Sequence, residues 1–496
     1  MAATHLLALD EGTTSARALV FTLEGKQVGL GRRPIEQHYP QAGWVEHDAG
    51  EIWQAQWESV QEALQTAGIT PAQVAAIGIT NQRETLVLWN RKTGKPLHKA
   101  IVWQDRRTAP HCEELKAAGL EQTFQQKTGL VIDPYFSGTK LAWLLDNIPD
   151  ARARAQRGEL AAGTIDSWLI WNLTGGQAHV TDASNASRTL AFNIHTSAWD
   201  ADLARHLRVP ISLWPRVAPS AGVAATTTLL GGSLPIAGIA GDQQAALFGQ
   251  GCFRPGMAKN TYGTGCFLLM NTGQRAVPSQ HRLLTTVAWQ LGNETTYALE
   301  GAIFSAGASL QWLEQIGVFS GTEEQNLLDA QADESAESSD VRFVPAFAGL
   351  GAPQWDPQAR GTLLGLTRDT GKAQLVRAAL DAMAYQSDEV LQIMQQDAHT
   401  QLAELRVDGG VSASDRLMQF QAHLSGVRVV RPAERESTAL GAALLAGLGV
   451  GLYQNLEQIA ALIHHERQFT PEADYPRLPL RLRWQQAVER SLNWAK

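Results

Sequence analysis

Short apolar runs that end in Gly, Asp or Asn alternate along the chain with longer amphipathic stretches of helical spacing. Ala76-Ile77-Gly78-Ile79-Thr80, Pro235-Ile236-Ala237-Gly238-Ile239-Ala240-Gly241 and Leu405-Arg406-Val407-Asp408 are the clearest of the runs. Such segments, bounded by turn residues, predict strands buried within a sheet, and the alternation predicts an α/β fold. His5-Leu6-Leu7-Ala8-Leu9, closed by Asp10, reads as another strand. The most apolar stretch, Ala439 to Tyr453, is interrupted by Gly441, Gly447, Gly449 and Gly451. It is too short to span a bilayer and predicts a buried helix. Gly249-Gln250-Gly251 and Arg254-Pro255-Gly256 cluster mid-chain and place a boundary near residue 252, giving halves 1–252 and 253–496. Each half opens similarly. Leu9-Asp10-Glu11-Gly12-Thr13-Thr14 leads through a strand to a turn at Glu24-Gly25, and Asn260-Thr261-Tyr262-Gly263-Thr264-Gly265 leads through Phe267-Leu268-Leu269-Met270 to one at Thr272-Gly273. Duplication explains the two hairpins, and so, equally, does chance.

With 496 residues, the chain is long enough for roughly two to four domains. Hydrophobic residues at 44% and charged residues at 18% exclude a disordered chain. A net charge of −8 without a Lys/Arg-rich run argues against nucleic acid as a partner. The apolar run near the N-terminus lacks a preceding basic segment and is closed by an acid, so a strand is expected there and not a signal sequence. Cys112, Cys252 and Cys266 are odd in number and without paired metal spacing, which fits free thiols in a reducing compartment and predicts a cytoplasmic protein.

Neither a Walker-type loop nor a Gly-x-Gly-x-x-Gly turn opening a helix is present. Asp10-Glu11-Gly12-Thr13-Thr14-Ser15-Ala16-Arg17 offers another phosphate cradle: a glycine turn, amides, three hydroxyls, an acid for water on Mg²⁺ and an arginine for the terminal phosphate. An ordinary polar hairpin is the competing reading until a second hairpin, Tyr262-Gly263-Thr264-Gly265, is set opposite it as a clamp. Asp242 stands where an apolar strand gives way to the small-residue stretch Gln243 to Phe248. It suits a carboxylate base at a strand's C-terminal edge and, equally, a helix N-cap. Arg83 and Glu84 pair a donor fork with an acceptor, as adjacent hydroxyls of a polyol require; a solvated turn is the alternative. Trp103, Tyr135 and Phe267 can wall a carbon skeleton or belong to the core. Gly409-Gly410 precedes a helical run from Ser412 to Leu424, and Gly307 with Gln311 shares a helix face. Both pairs fit close approach of a nucleotide and also plain tight packing.

Together these segments resemble the FGGY carbohydrate kinase family. Leu9 to Arg17 is similar to its first phosphate hairpin. Gly349-Leu350-Gly351-Ala352-Pro353-Gln354-Trp355-Asp356, with Ala359-Arg360-Gly361 and Gly365-Leu366-Thr367-Arg368, is similar to its C-terminal signature, and Ser437-Thr438-Ala439-Leu440-Gly441-Ala442-Ala443 also matches. The resemblance implies two duplicated actin and heat-shock-ATPase-like, ribonuclease H-like domains closing over an interdomain ATP cleft. It implies γ-phosphoryl transfer from MgATP to a small polyol, glycerol being the expected acceptor, in a homo-oligomer (dimer or tetramer). It assigns Arg83, Glu84, Tyr135, Asp242 and Gln243 to the acceptor hydroxyls and Trp103 and Phe267 to its carbons, with Asp242 as base. To the nucleotide it gives Thr13, Thr14, Ser15, Arg17, Thr264, Gly307, Gln311 and Gly410, and to the metal Asp10. Three departures stand out. Glu11 replaces a usual Gln, and Ser414 stands where an Asn commonly meets adenine. Thr226 to Leu234 is shorter than the Arg-bearing loop that binds fructose bisphosphate in some bacterial members. Rival readings are a kinase of the same family acting on xylulose or gluconate, against which Arg83-Glu84 together with Asp242-Gln243-Gln244 argues; a non-enzymatic or slowly hydrolysing ATP switch, which lacks that polyol box; and a polyol-sensing binding protein, separable by whether ADP appears.

Overall fold

The computed structural model describes residues 3–334 and 340–495; Met1, Ala2 and Lys496, at the ends of the two predicted halves, lie outside the described residues. Its centre is a thirteen-stranded sheet containing two five-stranded units of one topology. In the first, Gln27–Pro34, Ser15–Thr22, His5–Glu11, Val74–Asn81 and Leu234–Gly241 lie side by side in that order. The first three are antiparallel, and the last two run parallel to His5–Glu11. Glu294–Ile303, Cys266–Gly273, Met257–Tyr262, Glu404–Asp408 and Val429–Pro432 repeat both the order and the directions. The two Gly-Thr hairpins are therefore corresponding elements of a duplicated unit. Leu284–Leu291 and Ala221–Thr227 connect the units through one residue pair, Leu291 with Ala221, and His465–Phe469 closes the far edge.

Two helices lie between the units. Asp242–Gly249 follows directly on the strand Leu234–Gly241, and Ser437–Gly449 follows Val429–Pro432. The second is apolar all round, as a helix buried on every side must be. One cluster joins Leu6, Ala8 and Ala237 of the first unit to Met257, Leu269 and Ala298 of the second around Leu247, Phe248, Leu440 and Leu444. The packing distance is set by missing side chains. A Cβ on Gly441 would stand 1.9 Å from the Ala245 carbonyl oxygen, and one on Gly78 2.1 Å from that of Ala442. Ser437–Gly449 thus rests on strands of the first unit although it belongs, in sequence, to the second.

Helix Ala49–Ala67 covers the opposite face of the first unit, over Leu7, Leu9, Val20 and Ile77, and the long helix Lys372–Ala398 backs the second. A smaller antiparallel sheet of Glu46–His47, Ala100–Ile101, Leu86–Asn90 and Leu160–Thr164 flanks the first unit. The chain crosses from the main sheet to this one at residues 82–85, a crossing that carries Arg83 and Glu84. No described helix is long and apolar enough to cross a membrane. The three cysteines are free and buried.

Candidate active site

Register explains why distant residues meet. In the three parallel strands of the first unit, Glu11 lies beside Asn81 and Asn81 beside Gly241. The segments leaving their C-terminal ends, Gly12-Thr13-Thr14, Gln82-Arg83-Glu84 and Asp242-Gln243, therefore emerge at one edge, where open α/β sheets bind ligands. In the second unit Thr261 lies beside Asp408, so the hairpin tip 263–265 and the Gly409-Gly410 turn emerge together. A Cβ on Gly409, whose φ is 86°, would stand 2.3 Å from the Tyr262 carbonyl oxygen, so only glycine permits that approach.

On the acceptor side, Arg83 and Glu84 are buried, which removes the solvated-turn alternative. Glu84 takes φ = 61°, a left-handed conformation costly for a non-glycine residue, and the hydroxyl of Ser137 donates to its carbonyl oxygen at 2.9 Å. Arg83 places Nε 3.1 Å from Asp242 Oδ1, while Nη1 and Nη2 donate to the two carboxylate oxygens of Glu300 at 2.5 and 3.0 Å. Arg188, also buried, donates from Nε to Glu84 at 2.7 Å and from Nη2 to Glu300 at 3.0 Å. Burial alone would raise the Glu300 carboxyl, but the arginines Arg188 and Arg83 hold it down to about 2. Burial pushes the Tyr135 hydroxyl well above its usual range; that hydroxyl lies 3.4 Å from Arg83 Nη2. The Tyr135 ring meets Trp103 edge-on at 5.7 Å, and Trp103 Nε1 donates to Thr13 Oγ1 at 2.9 Å, linking the acceptor wall to the first hairpin.

Asp242 is the first residue of its helix. Gly241 occupies the N-cap position, so the capping alternative does not hold. The Asp242 carboxylate accepts from the Gln243 backbone amide at 2.7 Å and from Gln243 Nε2 at 3.3 Å, and its side chain keeps 32% of its surface open to the cleft. Phe267 is half-buried on the neighbouring strand Cys266–Gly273.

On the opposite side, Arg17 is clasped between Asp10 and Glu436; it lies 2.6 Å from the latter. Burial raises the Asp10 carboxyl, and the adjacent guanidinium opposes that rise. Arg17, Thr261, Asp408, Gly409, Gly410 and Arg435 are among the residues lining a cavity of about 350 Å³. Among the residues assigned to the nucleotide, Arg17 and Gly410 line it, whereas Thr13, Thr14, Ser15, Thr264, Gly307, Gln311 and Ser414 do not. Ser15 is buried, and Thr14 and Thr264 stand exposed at the hairpin tips.

Two models describing the FGGY family of carbohydrate kinases match the chain, the N-terminal domain over residues 5–249 and the C-terminal domain over residues 258–450. The chain belongs to the FGGY family of carbohydrate kinases. Glycerol kinase of Trichlorobacter lovleyi is 57% identical over 495 residues, covering 99% of both chains. That of Deinococcus radiodurans is also 57% identical, covering 99% of this chain and 98% of its own. The crystal structure of Plasmodium falciparum glycerol kinase with ADP superposes with a TM-score of 0.93 at 34% identity, covering 99% of each chain.

Within this FGGY kinase three segments expected near the nucleotide show further local detail. The space a Cβ would need at Gly307 is filled by the Gly263 carbonyl oxygen at 2.7 Å, so the missing side chain there admits the second hairpin's backbone. Gln311 is exposed one turn further on. The helix expected from Ser412 divides into a 3₁₀ turn at Gly410–Ala413 and a helix at Asp415–Ser425, and Ser414 is the N-cap, its Oγ accepting from the Leu417 amide at 3.2 Å. Arg188, Lys259, Glu300 and Glu436 escape a reading of the sequence. The available signal is a lone charge inside an apolar strand, as in Ala298-Leu299-Glu300-Gly301-Ala302 and Met257-Ala258-Lys259-Asn260, which is rare unless the charge is paired.

Proposed function

We propose that this FGGY kinase transfers the γ-phosphoryl group of ATP to a terminal hydroxyl of glycerol, giving sn-glycerol 3-phosphate and ADP. The reading rests on the convergence of Asp242, Gln243, Arg83 and Glu84 with Trp103 and Tyr135 at the sheet edge that also carries the first hairpin. A three-carbon polyol offers hydroxyls for this donor-and-acceptor set and a short skeleton for the aromatic wall, with Phe267 completing it. Asp242 takes the proton of the attacking hydroxyl; Arg83 fixes one carboxylate oxygen and Gln243 contacts both, with a third of the side chain left open to the substrate. Thr13, Thr14, Ser15, Arg17, Thr264 and Gly410, with Gly307, Gln311 and Ser414 behind them, form the nucleotide side, where amides, hydroxyls and the guanidinium stabilise charge on the transferring group.

The donors present fit Mg²⁺. Asp10 and Glu436 present carboxylate oxygens around a single guanidinium, hard donors that would hold this ion. Asp10 is the residue assigned to it. When bound, Mg²⁺ neutralises phosphate charge. The division into halves near residue 252 puts the acceptor residues in the first half, with Phe267 reaching in from the second; closure of the halves excludes water from the transfer. A cytoplasmic setting and self-association complete the proposal.

ADP release measured with glycerol, dihydroxyacetone, xylulose, gluconate and no acceptor tests it, with glycerol expected to be preferred. Asp242→Asn is expected to lose turnover by about 10²–10⁴-fold while still binding nucleotide, and near-normal turnover would remove Asp242 as the base.

A further inference from the structure

Lys259 lies at the centre of the strand Met257–Tyr262 and is completely buried. Its Nζ donates to Gln243 Oε1 and, at 2.9 Å, to Thr261 Oγ1. These contacts bridge the two units, since Lys259 belongs to the second unit and Gln243 to the helix that continues the first. An ammonium is a donor only, so it fixes which end of the Gln243 amide faces it. With Oε1 held by Lys259, Nε2 points to Asp242 Oδ2, 3.3 Å away. A reversed amide would set its oxygen against the carboxylate and its NH₂ against the ammonium.

The charged groups that act on Lys259 from the surrounding elements are Asp408 on the adjacent strand, Asp242 on the helix, Arg83 at the crossover to the smaller sheet and Glu300 on the strand Glu294–Ile303. The thiols of Cys252 and Cys266 also feel its charge and are pushed up to about 12, chiefly by burial. Asp408, which immediately precedes Gly409-Gly410, has a buried Oδ1 without a hydrogen-bond partner. The ammonium therefore stands between the acceptor carboxylate and the turn on the nucleotide side.

We propose that Lys259 is a positioning residue for phosphoryl transfer, which orients Gln243 so that its amide donates to Asp242 and which carries positive charge between the acceptor and nucleotide sides. The proposal rests on Asp242 acting as the base. Burial pulls the amine down to about 8, against opposition from Asp408 and Asp242, so the ammonium gives up its proton within reach of an assay.

The experiment compares the full-length protein with Lys259→Met, Lys259→Arg and Asp242→Asn for kcat, for the KM of glycerol and ATP, and for the pH dependence of kcat. Lys259→Met is expected to lower kcat by roughly 10- to 100-fold, as loss of a hydrogen bond from a charged donor does, with the KM of ATP changed less than about threefold. Wild-type kcat is expected to fall above about pH 8, a limb absent from Lys259→Met. Lys259→Arg, whose charge does not titrate in this range, is expected to recover part of kcat and to lack the limb. If Lys259→Met does not fold, Lys259→Arg and the wild-type profile decide: an Arg variant that keeps the wild-type basic limb overturns the proposal. Wild-type kcat in Lys259→Met, or loss with an unchanged pH profile and a lowered Tm, also overturns it. Normal turnover in Asp242→Asn would instead remove the base itself.

Discussion

Replacing Glu300 by glutamine keeps the shape of the side chain and removes the carboxylate that Arg83 and Arg188 share. In the wild type it accepts Arg83 Nη1 at 2.5 Å, Arg83 Nη2 at 3.0 Å and Arg188 Nη2 at 3.0 Å, and no part of its side chain reaches solvent. Two routes give the cost. Breaking a buried ion pair from one side is worth about 3–5 kcal/mol, because the surviving cations remain desolvated. Independently, a carboxyl held down from 4.5 to about 2 contributes about 3 kcal/mol at neutral pH. The folded-state value lies below the unfolded one, so this contribution is complete above about pH 4.5 and is lost as the pH falls towards 2. Glu300→Gln is therefore expected to lose about 3 kcal/mol near pH 7.5, read from urea unfolding followed by tryptophan fluorescence, with the deficit shrinking as the pH is lowered below 4.5. Arg83 would lose its bidentate anchor, so kcat/KM for glycerol is expected to fall with it. A variant within about 0.5 kcal/mol of wild type at pH 7.5 would refute the assignment of Glu300 as the anchor of Arg83 and Arg188.

Glu11 is buried with both carboxylate oxygens unpaired, and burial followed by the charge of Asp10 pushes its carboxyl well above the usual range. A raised folded-state value costs stability as pH rises above 4.5. Glu11→Gln is therefore expected to raise the urea midpoint at pH 8, by a margin that narrows towards pH 5, with turnover retained; a variant less stable than wild type at pH 8 would contradict this. Leu234, the last residue of the segment expected to be too short for a bisphosphate-binding loop, is buried at the start of its strand. The turn before it is exposed and without a basic side chain. Fructose bisphosphate is expected to inhibit weakly or not at all in a steady-state assay, and strong inhibition at micromolar concentration would contradict that expectation.

What can be read in the sequence follows the reach of the interactions. Strands such as Val74–Asn81 announce themselves because both their faces are buried, and the two Gly-Thr hairpins because each is a local turn repeated in both units. Asp242 is legible as a carboxylate at a strand end, since that needs only the adjacent run and the following small residues. Arg83 and Glu84 are visible as a pair. Their burial is not, because it depends on Arg188 and Glu300, more than a hundred residues downstream of Glu84 and meeting it only through the fold. The placement of Ser437–Gly449 is hidden for the same reason: Gly78 and Gly441 match surfaces contributed by distant parts of the chain. Ser414 shows a local ambiguity, because a Ser before a helix caps it, whatever ligand lies nearby.

A sheet of thirteen strands that does not close on itself has two outer edges, and open edges invite further strands from other molecules. Here both are answered. Along Gln27–Pro34 the Leu30 amide donates to Thr66 and the Arg32 amide to Glu62, both from helix Ala49–Ala67, and Thr66 also donates to the Leu30 carbonyl oxygen. Pro34 ends the strand with no amide to offer. Along His465–Phe469 the edge carries Glu466 and Arg467, tied to Arg431 and Asp415. The continuous sheet that carries both halves of the site is thereby kept from templating fibrils, and loss of Glu62 or Thr66 would reopen hydrogen-bonding positions to a neighbouring chain.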